Sequence, residues 1–167
     1  MKVVVMSRES LMQAAKTPFP EGTAVISITD SEAEDVALAN HPDKILRLKF
    51  DDVSEEIFEE LLGRKPNTRE MHQIASKLHM LSNEQTQQMA EFVLNLGNES
   101  VLICQCEYGQ SRSAGVAAAV MEYYNRNGIT IFADSRYYPN KYVFRKLLGS
   151  LRMRGGRNKE SKRKGAL

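Results

Sequence analysis

Val101-Leu102-Ile103-Cys104-Gln105-Cys106-Glu107-Tyr108-Gly109-Gln110-Ser111-Arg112-Ser113-Ala114-Gly115 holds three pieces of structure in one run. Val101 to Cys104 is apolar on both faces, the pattern of a central parallel strand. Cys106 to Arg112 is a polar loop with a single glycine. Ala114 to Tyr124 reads as a helix, and Ala117-Ala118-Ala119 keeps it slim enough to lie against a sheet. A loop between strand and helix turns backbone N–H groups inward, and the positive end of the helix points at whatever sits in the cradle. A cysteine held there is expected as its thiolate at neutral pH. Arg112 adds a planar fork of donors that matches a phosphate. Nucleophile and anion clamp therefore share one small ring. The chance of Gly, Ser, Arg and Ser at these four offsets from a cysteine is on the order of 1 in 50,000 at ordinary residue usage, which argues against a buried strand cysteine followed by an ordinary turn.

Outward from this run, Val3-Val4-Val5-Met6 reads as a buried first strand, followed by a short helix over Arg8 to Lys16 with Ser7 as its cap. Thr23 to Thr29 is a second strand rich in β-branched residues. Asp30-Ser31-Glu32 marks a helix start and His41-Pro42 a stop. Ile45 to Phe50 alternates as a half-buried strand does, ending at Asp51-Asp52. Ser54 to Leu62 has an acidic first turn and helical spacing, and Arg69 to Leu81 and Thr86 to Leu96 are helix-like, the latter amphipathic. A last helix is expected over 141–151. Strands alternating with helices predict an α/β fold: a central, mostly parallel sheet flanked by helices. Ligand sites in such sheets lie at the carboxyl ends of the strands, where Cys106 falls.

The 167 residues suffice for one domain with a sizeable core. Apolar content of 42% and charged content of 26% read as soluble and globular. No apolar run approaches the ~20 residues that span a bilayer, and the apolar N-terminal stretch is too short for a signal peptide; a cytoplasmic location without membrane contact is the expectation. Cys104 and Cys106 are the only cysteines, expected on opposite faces of their strand and therefore unbonded, which suits a reducing compartment. From Arg152 onward stand seven Lys/Arg against one Glu, leaving the body 16 of 23 basic and 20 of 21 acidic residues. The reading is a domain over 1–151 and a basic, disordered tail over 152–167. Such a tail supports only weak, salt-dependent contact with nucleic acid. His41, His72 and His79 lack partner ligands at metal spacing, so no metal site and no cofactor are expected.

Cys106 to Ser113 resembles the signature loop of the cysteine-dependent protein phosphatases, and its Ser-Arg-Ser ending is most similar to the dual-specificity branch. The family usually has His before the nucleophile; here the position is Gln105. The resemblance runs from about Thr23 to Leu151 and implies a dual-specificity-phosphatase-like fold. It further implies metal-independent hydrolysis of phosphate monoesters through a cysteinyl-phosphate. Cys106 would be the nucleophile and Arg112 the bidentate clamp. The backbone N–H groups of Glu107, Tyr108, Gly109, Gln110, Ser111 and Arg112 would hold the remaining oxygens, and Ser113 would donate to the sulfur. The general acid falls on Asp51 or Asp52; relatives with an aromatic, an acidic residue and then the catalytic Asp make Phe50-Asp51-Asp52 point to Asp52. In Tyr137-Tyr138-Pro139-Asn140, Asn140 matches a family residue that buttresses the loop, and Gln105 is placed beside the machinery in the same supporting sense.

Phosphoinositide-directed relatives carry lysines inside the loop, whereas this one has Glu107, Tyr108 and Gln110. An acidic and neutral loop disfavours a multiply phosphorylated head group. The expected partner is a phosphorylated protein or peptide, phosphotyrosine favoured over phosphoserine and phosphothreonine. The rival reading is a catalytically weak, phosphatase-like module that binds phosphopeptides; a misplaced acid would favour it.

Overall fold

The computed structural model describes residues 1–54, 57, 60, 63–97 and 100–164. Its elements in chain order are β1 (Lys2–Ser7), α1 (Arg8–Ala14), β2 (Thr23–Thr29), β3 (Lys44–Lys49), α2 (Thr68–Lys77), α3 (Asn83–Leu94), β4 (Val101–Cys106), α4 (Arg112–Asn125), α5 (Ile129–Ala133) and α6 (Lys141–Lys164). The four strands form one sheet in the order β1-β4-β2-β3, with every neighbouring pair parallel. The expected α/β architecture is thus the observed one, with β4 inside the sheet. The acidic helix expected over Ser54 to Leu62 falls largely outside the described residues.

Strand alternation divides the sheet's residues between two cores. Ala24, Ile26, Ile28, Leu102 and Cys104 face the larger one, where they meet Met89 and Val93 of α3, Val116 and Ala117 of α4, and Leu147 and Leu151 of α6. Val25 and Ile103 face the smaller one, built with Leu11 of α1 and Val36. Full burial of one such aliphatic side chain is worth about 1.5–3 kcal/mol, so the larger core dominates the stability of the fold. Cys106 shares the larger core with Cys104. This corrects the expectation of opposite faces: the two are two positions apart, and the period of a strand is two. Both thiols are free.

Two further expectations are corrected. Residues 30–41 form no helix, because side chains from the sheet and α1 take carbonyls that a helix would use: Arg47 donates to Val36 O (3.0 Å), Lys49 to Ala33 O (2.7 Å) and Arg8 to Glu34 O (3.0 Å). The last helix does not end at 151. It runs to Lys164, so the stretch expected as a disordered tail begins as helix. Beyond Leu151 it still touches the body: Arg154 pairs with Glu91, and Gly155 lies so close to Tyr123 that a Cβ there would sit 1.8 Å from the phenol oxygen. No helix among the described residues is long and apolar enough to cross a membrane.

Candidate active site

Cys106 is the last residue of β4 and Arg112 the first of α4, so the loop between them must reverse within five residues. Gly109 makes this possible. Its φ is +69°, and a Cβ there would stand 2.6 Å from the backbone nitrogen of Ser7 and 2.7 Å from the carbonyl carbon of Met6; both the angle and the crowding require glycine.

The loop's carbonyls are engaged from outside. Arg8 N–H donates to Glu107 O (3.0 Å), Tyr138 N–H to Gln110 O (2.9 Å) and Asn140 N–H to Ser111 O (3.1 Å). A trans peptide carries its N–H opposite its C=O. The N–H groups of Tyr108, Ser111 and Arg112 therefore point the other way, into the bowl, where the N-terminus of α4 adds its positive end.

Inside the bowl, Cys106 Sγ lies 3.0 Å from Ser113 Oγ, both side chains buried. Arg112 is only 3% exposed. Its Nη1 donates to Phe50 O (2.6 Å) and pairs with Asp30 Oδ1 (2.7 Å), while its Nε–H is buried without a partner. A buried donor left unpaired costs about 1–3 kcal/mol. The guanidinium is thus anchored at one nitrogen and holds an N–H in reserve for an anion.

The two adjacent aspartates part company. Asp52 Oδ1 accepts from Ser111 Oγ (2.7 Å) and Asn140 Nδ2 (2.9 Å), at the rim of the loop. Asp51 turns away and accepts from Ser31 N–H (2.9 Å) and Ser31 Oγ (3.0 Å), with His79 Nδ1 3.7 Å from its other oxygen. Asn140 is buried and tied three ways: its amide also donates to Val53 O (3.2 Å), and its carbonyl caps α6 by accepting from Val143 N–H (3.1 Å). One residue thus binds the Asp52 segment to the loop and to the last helix.

Gln105 lies elsewhere. It is fully buried and accepts from Ser27 Oγ (2.7 Å) across the β2–β4 ladder, on the face away from Cys106. Glu107 pairs with Arg8 (3.6 Å), Tyr108 and Gln110 face solvent, and Ser111 serves Asp52. Burial pushes the Cys104 thiol well above its ordinary range, which keeps it neutral two positions from Cys106.

Sequence reading missed Asp30, which holds Arg112, and His79, which stands beside Ser31 and Asp51. Asp30 follows β2 as Asp51 and Asp52 follow β3; the adjacency of β2 to β4 brings it to the loop. The usable signal is a carboxylate at the carboxyl end of a strand, which in Asp30-Ser31-Glu32 coincides with the pattern of a helix start. Among the described residues, no cluster of His, Cys, Asp and Glu is arranged to hold a metal ion.

Among solved structures, that of PTPMT1 in complex with PI(5)P is similar, with a TM-score of 0.53 and 15% identity over 94% of this chain and 94% of that one. Human DUSP28 has a TM-score of 0.47 and 14% identity over 93% and 94%. No protein-family model and no curated protein matches the chain. The fold is that of the dual-specificity and tyrosine phosphatases, as the resemblance in the loop implied.

Proposed function

We propose that this protein is a metal-independent, cysteine-dependent phosphomonoesterase acting on phosphorylated protein or peptide, with phosphotyrosine favoured. The observation that carries the reading is the pairing, inside one seven-residue bowl, of a sulfur 3.0 Å from Ser113 Oγ with a buried guanidinium whose Nε–H is unpartnered. A dianionic phosphoryl group satisfies both: its oxygens take the free edge of Arg112 and the inward N–H groups, and its phosphorus faces Cys106.

In the first step the Cys106 thiolate forms a P–S bond as the ester P–O bond breaks, and Asp52 gives its proton to the leaving oxygen. In the second, water attacks phosphorus and yields a proton to the Asp52 carboxylate. The P–S electron pair returns to sulfur, where Ser113 donates a hydrogen bond to the departing thiolate. Inorganic phosphate is released. Arg112 and the main-chain donors meet the developing charge throughout.

PTPMT1 holds PI(5)P in its solved complex, which makes a phosphoinositide the competing substrate. Here the loop positions Glu107, Tyr108 and Gln110 carry no lysine, so a head group with additional phosphates finds no cationic partner among them. A reducing, cytoplasmic setting is part of the proposal, since both cysteines are free.

The test is turnover of an aryl phosphate. Wild-type protein should be active with or without chelator, and Cys106→Ser should fall to background. Wild-type protein that binds a phosphotyrosyl peptide without releasing phosphate would refute the enzyme reading and leave a binding module.

A further inference from the structure

We propose that His79 is a positioning residue for Arg112: from the turn after α2 it grips Asp51 and Ser31, the neighbours of the two acceptors that anchor the guanidinium, and so keeps the free edge of the fork aimed into the bowl. The inference rests on the clamp role given to Arg112 above and names what holds that clamp in place.

Arg112 Nη1 has two acceptors, Phe50 O at 2.6 Å and Asp30 Oδ1 at 2.7 Å. Each follows the end of a strand, Phe50 after β3 and Asp30 after β2. His79 reaches both through the next residue in the chain. The C=O of Phe50 and the N–H of Asp51 belong to one peptide unit and point opposite ways. The C=O meets Arg112, and the N–H donates to His79 O (2.9 Å). On the other strand end, Ser31 follows Asp30, and its Oγ lies 3.1 Å from His79 Nδ1.

The two strand ends are also tied to each other at this point. Asp51 Oδ1 accepts from Ser31 N–H (2.9 Å) and Ser31 Oγ (3.0 Å). A hydroxyl has one proton to give. Given to the Asp51 carboxylate, it leaves Ser31 Oγ to accept from His79 Nδ1–H. Donation therefore runs from His79 to Ser31 to Asp51, across the gap between the ends of β2 and β3. The guanidinium spans the same gap, because its two anchors lie one on each side.

The turn that carries His79 is itself fixed. Its φ is +45°, a left-handed conformation that a non-glycine residue keeps only where its surroundings impose it. Before it, Leu78 N–H closes α2 on Ile74 O (3.0 Å). After it, Met80 and Leu81 are buried in the larger core, and Leu81 O accepts from Lys146 Nζ of α6 (2.8 Å). A residue that merely ended α2 would turn its polar groups to its own helix or to water. His79 directs both its carbonyl and its ring at the strand ends.

The experiment measures binding of inorganic phosphate by calorimetry and kcat/KM on an aryl phosphate, both at 25 °C, with a melting curve for each variant. His79→Gly accepts the left-handed angle and removes the ring. Its Kd for phosphate should rise about fivefold and its kcat/KM fall by a similar factor, the order of one hydrogen bond, while the protein remains folded at the assay temperature. His79→Asn tolerates the same angle and carries an N–H in the place of Nδ1; it should bring both quantities to within about twofold of wild type. Lys77→Ala, exposed in the last turn of α2, should change neither. A merely structural role would lower the melting temperature and leave the Kd of the folded protein alone. A Gly variant that binds phosphate as wild type does, or an Asn variant as weak as the Gly variant, overturns this inference and leaves the proposed function standing. Wild-type protein that binds phosphate without hydrolysing the ester overturns the enzyme reading and leaves the Kd values to decide the inference. Wild-type protein that does neither overturns both.

Discussion

Three aspartates converge on the carboxyl end of the sheet, and their partners separate their jobs. Asp52 meets the loop through Ser111 and Asn140. Asp51 meets Ser31 and His79. Asp30 meets Arg112. The amide isostere keeps shape and removes charge, so three substitutions read three roles. Asp52→Asn should reduce kcat on an aryl phosphate by about 10²- to 10⁴-fold, the range for loss of a positioned acid. Asp51→Asn should cost less than tenfold in kcat and show chiefly as lost stability of about 1 kcal/mol, from weakened hydrogen bonds to Ser31. Asp30→Asn keeps an acceptor for Arg112 Nη1 but removes the ionic part of the clamp, and about tenfold should be lost in kcat/KM, because the fork is less firmly aimed. Steady-state kinetics and thermal melts of the three variants decide it; a larger kcat loss in Asp51→Asn than in Asp52→Asn would exchange their roles.

Among the elements, α2 shows most clearly how its start is made, and the same features give it a pH dependence. Asn67 accepts from Glu70 N–H (3.0 Å) and Glu70 returns a bond to Asn67 N–H (2.9 Å), a capping box. Arg64 adds two donors to the Glu70 carboxylate, at 2.9 and 2.7 Å. The Arg64 hydrogen bonds, then the Asn67 N–H, lower the Glu70 carboxyl from 4.5 to about 2. A depressed folded-state value means that the charged form favours the folded helix. Its contribution is complete above the ordinary carboxylate range and is lost as pH falls through about 2. Glu70→Gln keeps a side-chain acceptor for the Asn67 N–H and removes the charge. Hydrogen-exchange protection of the α2 amides in wild-type protein should therefore exceed that of Glu70→Gln near neutrality, and the excess should vanish as pH falls from 4.5 towards 2. An excess that persists at the acid end would show that the ion pair does not hold the helix.

At the scale of the molecule, what was legible in the sequence was whatever depends on local pattern. The strand–loop–helix run, its Cys106 and Arg112, and the second strand's end at Thr29 follow from periodicity and composition, and the third strand, read as Ile45 to Phe50, lies one residue earlier at Lys44–Lys49. What was not legible depends on sheet order and on long-range packing. Asp30 reaches Arg112 only because β2 neighbours β4. The segment 30–41 loses its helix to side chains arriving from Arg8, Arg47 and Lys49. The extension of α6 past Leu151 has the same origin. Its composition is that of a solvated tail, yet Gly155 is buried against Tyr123, Arg154 pairs with Glu91, and Arg152 stands 4.0 Å from Glu122. These contacts continue past 151, and deletions test where the domain ends. Removing residues 157–167 takes away no contact described above and should leave both melting temperature and aryl phosphate turnover unchanged. Removing 152–167 uncovers Tyr123 and breaks two partly exposed ion pairs, together worth about 1–2 kcal/mol. That corresponds to a fall of roughly 2–8 °C in a domain of this size. Turnover at 25 °C should persist in both, because Asn140 and Val143, which tie α6 to the loop, lie at the helix's other end. Equal melting temperatures for the two deletions would return the boundary to Leu151, and loss of turnover in the longer one would make the helix end part of the catalytic body.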